Sequence, residues 1–249
     1  VSLAKWDQVC ALLLDIEGTT TPIDFVYKTL FPYATRNVEP LLREHLAEPE
    51  VGRLVRELKA QNEQDRAAGF EPPAWLGDSD QARLRSIVAY VRWLIARDSK
   101  NTALKSLQGK IWKRGFENGE LHGEVYPDVP GAFDRWRQQQ REICIYSSGS
   151  VLAQQQLFRT VISGDLTRHI TGFFDTQTGI KTAPESYAKI AASLDRAPRE
   201  FLFISDAPKE VEAARIAGMH SALCDRSAPP SAPQTASETI HTFDEIFPR

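Results

Sequence analysis

The chain has 249 residues, 42% hydrophobic and 25% charged, and its 30 basic and 33 acidic side chains leave a net charge of −3. The length suits one large domain or a domain with a substantial insertion, and the composition is ordinary for a soluble globular protein. No basic excess points to nucleic acid, no apolar run approaches membrane-spanning length, and no leader pattern opens the chain, so cytoplasmic residence without either partner is expected. Cys10, Cys144 and Cys224 each lie inside a short apolar run, and an odd number of core-like thiols fits a reducing compartment better than disulfides.

Along the chain, the unbroken apolar run Val9–Leu14 reads as a buried parallel strand. It stops abruptly at Asp15-Ile16-Glu17-Gly18-Thr19-Thr20, two carboxylates one residue apart followed by a glycine and two hydroxyls. From about Pro22 to Val125 no strand pattern occurs; helical periodicity runs over Phe25–Leu46, Pro49–Ala67, Asp80–Arg97 and Thr102–Phe116. Gly69–Ala74 divides this stretch and Glu117–Glu120 closes it. Strands and helices then alternate. The strand candidates are Ile143–Tyr146, Gly172–Asp175, Phe201–Ile204 and Ser221–Cys224; the helices are Pro130–Arg141, Val151–Ile162, Pro184–Leu194 and Pro208–Ala217, with Gly218 after the last. Ser227–Ser237 reads as a surface loop, and Ile240–Phe247 as a segment able to pack back. This alternation predicts an α/β fold: a Rossmann-like parallel sheet core at 1–21 and 126–249, with an all-helical insert at 22–125.

Polar chemistry stands at the end of each core strand, where open α/β sheets carry their sites. The second strand runs into Ser147-Ser148-Gly149-Ser150, the fourth into Ser205-Asp206, and Gly179-Ile180-Lys181 precedes the helix at Pro184. Each has a bland reading: Asp15 as a turn acid, Ser147 and Ser148 as helix caps, Lys181 as a solvated lysine, Asp206 as the N-cap of the next helix. Four such coincidences at successive strand ends are much less expected than one convergent set. A carboxylate, a hydroxyl, a lysine and a further acid suit phosphoryl transfer, in which positioning and charge neutralisation carry the catalysis.

Asp15-Ile-Glu17-Gly-Thr resembles the first motif of the haloacid dehalogenase superfamily, whose phosphatases carry Asp-x-Asp-Gly-Thr. Ser147, Lys181 and Asp206 fall where its second, third and fourth motifs belong, and the helical insert resembles the cap that many members place between the first two. Glu17 departs from that pattern, and Asp-Ile-Glu-Gly-Thr-Thr is similar to the opening of the enolase-phosphatase (acireductone synthase) family of methionine salvage. The stretches Asp98–Trp112, Ile145–Val151 and Gly172–Thr176 agree with it.

The resemblance implies enolisation of 2,3-diketo-5-methylthiopentyl-1-phosphate, then hydrolysis of the phosphoester to acireductone and phosphate. It assigns catalysis to Asp15, Glu17 and Lys181, substrate binding to Ser147, Ser148 and Lys181, and one Mg²⁺ to Asp15, Asp206 and the Glu17 main-chain carbonyl. Glu210 is expected to orient the metal ligands, and the chain to act as a monomer on its small-molecule substrate. Asp98, Lys100, Lys105 and Gln108 are candidates for recognition in the cap. Lys105 reads equally as an electrophile for the enolate or as a solvated helix-face lysine, and Trp93 and Trp112 as packing residues. A phosphometabolite binder and a general sugar-phosphate phosphatase are the alternatives. Ser186-Tyr-Ala-Lys189 has the Ser-x-x-Lys spacing of penicillin-binding enzymes without their companion motifs, and the five histidines show no ligand spacing.

Overall fold

A computed structural model describes residues 6–77, 79–227 and 239–248; apart from Ser227, the expected surface loop Ser227–Ser237 lies outside the described residues. Contacts divide the chain into two compact units: the stretch up to Phe25 together with that from His122 onward, and Val26–Leu121.

The first unit is built on a six-stranded sheet: β1 (Ala11–Leu14), β2 (Glu142–Tyr146), β3 (Gly172–Phe174), β4 (Phe201–Ser205), β5 (His220–Cys224) and β6 (Thr239–Ile240). The order is β3-β2-β1-β4-β5-β6, with every pair parallel. β1 and β4 are buried along their whole length. Burial on both faces is why they read as continuous apolar runs rather than as alternation. β6 has no strand pattern of its own; two residues pair with Leu223 and Cys224 because the free edge of β5 supplies the partners.

The α-helices described beside the sheet are α5 (Val129–Gln138), α6 (Val151–Arg159), α7 (Pro184–Ser193) and α8 (Pro208–Ile216). Ser150 caps α6 by accepting from the Ala153 N–H. α7 and α8 each open on a proline, whose fixed φ and missing N–H suit the first helical turn. α5 ends before the expected Arg141 because Gln140 turns left-handed at φ 61°.

The second unit is all helical: α1 (Phe31–His45), α2 (Pro49–Ala67), α3 (Asp80–Ala96) and α4 (Thr102–Glu117). The helix expected from Phe25 opens instead as a π-helical segment, Phe25–Leu30. Pro32 explains the difference: its nitrogen offers no hydrogen to the Lys28 carbonyl four residues back, and the wider turn avoids that bond. α1 packs on α3 and α4, and α2 on both as well. Val38, Leu42, Leu58, Ile87, Val91, Leu104 and Leu107 are buried in the unit. Trp112 donates to the Leu30 carbonyl at 2.9 Å, and Trp93 lies between Tyr90 and the Arg97 guanidinium, so both act in packing as expected.

Candidate active site

From β1 the chain builds outward to β2 and β3, then returns to the other side of β1 to lay down β4, β5 and β6. The direction of winding thus reverses between β1 and β4, and a crevice opens at the carboxyl ends of the strands at such a switch point. Leu14 is in register with Ile145 and with Ile204. Asp15, Tyr146-Ser147 and Ser205-Asp206 therefore leave the sheet at one level.

Asp15 is 4% exposed and Lys181 8%. The Lys181 ammonium bridges two carboxylates, lying 2.5 Å from Asp15 Oδ1 and 2.6 Å from Glu210 Oε2. Asp15 Oδ1 also accepts the Ile16 N–H at 2.7 Å, and Asp15 Oδ2 accepts the Ser205 hydroxyl at 2.9 Å. The Ser205 oxygen accepts the Ala207 N–H and lies 3.1 Å from Glu210 Oε2. Half-buried Glu17 places Oε2 3.4 Å from the Ser147 hydroxyl, which in turn accepts the Gly149 N–H.

The loop after β1 is held from three sides. Gly18 has φ +72°, and a β-carbon there would collide with the Asp206 carboxylate, so only glycine permits both the turn and the approach. Thr19 Oγ1 accepts the Asp206 N–H at 2.9 Å, and Thr20 Oγ1 donates to the Asp15 carbonyl at 3.0 Å. Arg226 donates twice to the Thr19 carbonyl, at 2.8 and 3.0 Å, while its guanidinium pairs with Asp128 at 2.7 Å and lies over Tyr126 and Phe243.

The electrostatics are one-sided. Burial, and then the Asp15 charge, push the carboxyls of Glu17, Asp206 and Glu210 above their ordinary values. Burial alone would lower Lys181, but Asp15 and Glu210 outweigh it and hold the ammonium above its usual range. Four acids thus face the single ammonium of Lys181, an excess that a hard divalent cation would relieve. Among the described residues no three His, Cys, Asp or Glu side chains converge on one ion position. The groups that could hold one are the carboxylates of Asp15 and Asp206 and the Glu17 main-chain carbonyl, on which no described backbone hydrogen bond ends.

Residues 10–218 match the haloacid dehalogenase-like hydrolase family. Enolase-phosphatase E1 of Synechococcus elongatus is 47% identical over 96% of this chain and 98% of its own, and that of Drosophila persimilis is 45% identical over 94% and 93%. The chain belongs to the enolase-phosphatase E1 family of haloacid dehalogenase-like hydrolases. The crystal structure of the UTR4 protein of Saccharomyces cerevisiae superposes with a TM-score of 0.71 at 32% identity, covering 95% of this chain and 99% of that one. A predicted phosphoglycolate phosphatase from Haemophilus somnus shares the fold, at TM-score 0.54 and 14% identity over 97% of each chain.

Of the residues singled out in the sequence, this enolase-phosphatase family member brings Asp15, Glu17, Ser147, Lys181 and Asp206 together at one sheet edge. Asp206 is not a helix cap, since Ala207 holds that position in α8, and Ser150 rather than Ser147 caps α6. Ser148, beside Ser147, is exposed. Glu210, expected to orient metal ligands, pairs directly with Lys181. Asp98 and Lys100 form an exposed ion pair with each other at 2.8 Å, Gln108 is buried in α4, and Lys105 is half-buried on that helix. The structure adds Ser205 as a partner of Asp15. Its signal was present, a hydroxyl at the last position of a core strand, but it becomes readable only once β4 is known to lie beside β1.

Proposed function

We propose that this chain enolises 2,3-diketo-5-methylthiopentyl-1-phosphate and then hydrolyses the enol phosphoester to acireductone and phosphate, a step of methionine salvage. The observation that carries the reading is the buried Asp15–Lys181 pair with a second acid, Glu17, against the Ser147 hydroxyl. A binder has no need of a nucleophilic carboxylate paired with a buried ammonium and accompanied by a second acid.

Asp15 attacks phosphorus in line; a new bond forms from its carboxylate oxygen and the bond to the ester oxygen breaks. Glu17, the acid against the Ser147 hydroxyl, gives a proton to the departing oxygen. It then takes a proton from the water that cleaves the aspartyl-phosphate. Lys181 holds phosphate oxygens and pairs with Asp15, while Ser147 and the Ser148 main chain donate to the phosphate. Mg²⁺, one per chain, would be held by the carboxylates of Asp15 and Asp206 and the Glu17 carbonyl, and supplies positive charge against the repulsion between nucleophile and phosphate. In the preceding enolisation the longer reach of Glu17 over aspartate lets its carboxylate take the proton from the carbon next to the carbonyl, and this is the proton it later gives to the departing oxygen.

The helical unit Val26–Leu121 serves as the cap that recognises the diketone and thioether end, with Lys105 as electrophile toward the enolate. The enzyme works as a cytoplasmic monomer on this small molecule. Among the described residues no helix is long and apolar enough to cross a membrane. Stopped-flow absorbance with the diketone phosphate and Mg²⁺ tests the reading: an enol-phosphate forms before phosphate is released. Phosphate release without that phase would make the protein a general sugar-phosphate phosphatase.

A further inference from the structure

Lys181 has a long, flexible side chain, and its bridging of two carboxylates demands a fixed backbone. The loop that carries it does not gain that fixity by burying a side chain, because Ile180 is 70% exposed. Its main chain is held instead. Three consecutive carbonyls each accept a side-chain hydroxyl: Tyr146 donates to Gly179 at 2.9 Å, Ser186 to Ile180 at 2.8 Å, and Tyr187 to Lys181 at 2.6 Å. All three donors are buried. Loop carbonyls ordinarily turn to water, and replacing water by fixed donors removes the freedom to shift.

The donors are themselves fixed. Tyr187 packs edge-on against Tyr146 at 5.7 Å and against Phe203 at 5.0 Å, and it rides with Ser186 on the first turn of α7. Tyr146 is the last residue of β2, next to Ser147. Gly179 has φ +153°, and a β-carbon there would collide with Ser186 Oγ, so the loop carries glycine where the clamp closes. Burial raises both phenols above their ordinary range, which keeps them donors at every working pH. The Ser-x-x-Lys spacing also resolves here: Ser186 is committed to a carbonyl, and Lys189 is exposed.

We propose that Tyr146, Ser186 and Tyr187 form a hydroxyl clamp that positions Lys181 and thereby sets affinity for the phosphate group without touching it. The proposal rests on the assignment of Lys181 to phosphate made above.

A double-mutant cycle on the Mg²⁺-loaded full chain tests it, reading the dissociation constant of inorganic phosphate by titration calorimetry in every variant, and turnover of p-nitrophenyl phosphate in those that keep Lys181. Tyr187→Phe leaves one buried carbonyl without its donor and raises that constant by roughly tenfold, with KM moving more than kcat. In a Lys181→Met background the same substitution adds less than about twofold, because the clamp acts through the lysine. Ser186→Ala shows the same non-additivity and serves if Tyr187→Phe fails to fold, which urea unfolding reports. Ser193→Ala, which removes a hydroxyl donating to a carbonyl at the other end of α7, leaves the constant unchanged. A folded Tyr187→Phe or Ser186→Ala that binds phosphate normally, or one whose full effect persists without Lys181, overturns the clamp. Lys181→Met with unchanged phosphate binding overturns the assignment of Lys181 itself, and the clamp with it.

Discussion

Asp15 and Lys181 are both nearly inaccessible, and neither charge would be tolerated there alone. Glu17 occupies the opposite situation, an acid raised first by burial and then by the Asp15 charge. Its folded-state value exceeds the 4.5 of an unperturbed glutamate, so the folded chain holds this proton to higher pH than the unfolded chain. Between the two values the unfolded state ionises first, and the Glu17 contribution to stability falls as pH rises through the folded-state value. In metal-free protein, the melting temperature of wild type relative to Glu17→Gln therefore declines as pH is raised from about 4 toward neutrality. A difference that stays flat, or one that grows, would contradict the assignment. Asp15, Lys181 and Asp206 were readable at this scale because each ends an apolar run or precedes a helix. Ser205 was not, since its role is defined by a partner 190 positions away.

At the scale of elements, the loop following β1 depends on a cation brought from beyond β5. Arg226 holds the Thr19 carbonyl, and Asp128, at the start of α5, neutralises it while also accepting the Phe243 N–H at 2.6 Å. The pair is almost fully buried, with side-chain exposures of 8% and 11%. Removing one partner of such a pair leaves an uncompensated charge at a cost of about 3–5 kcal/mol. Asp128→Ala is thus expected to lower the urea midpoint strongly, whereas Arg53→Ala, which breaks only an exposed pair with Glu57, changes stability by less than about 1 kcal/mol. Equal effects would mean that the buried pair is not what holds the loop. Periodicity located α5 and the strand before Arg226, but nothing local to Asp128 or Arg226 announced their contact.

For the molecule as a whole, four carboxylates gathered at one sheet edge predict that a divalent cation stabilises the fold as well as assisting turnover. At about one hundred times its dissociation constant, a ligand specific for the folded state adds roughly 2.7 kcal/mol. Mg²⁺ should therefore raise the melting temperature by on the order of 5 °C in a protein of this size. Asp206→Asn should lose most of that gain. An unchanged melting temperature across the Mg²⁺ titration would argue against the donor set named here.

What the sequence determined by itself was local or cumulative. Apolar runs, helical periodicity and prolines at helix starts established an α/β sheet protein with a long helical stretch, because burial on two faces, burial on one face and fixed φ each leave a pattern in adjacent residues. The motif at Asp15, with its glutamate at position 17, pointed to the family. The tertiary structure alone decided the strand order with its switch point between β1 and β4, the Ser205 hydrogen bond to Asp15, the direct pairing of Glu210 with Lys181, the Arg226 strut and the three hydroxyls under the lysine loop. These contacts join residues far apart in the chain, and they exist only where parallel register and helix packing bring the partners within hydrogen-bonding distance.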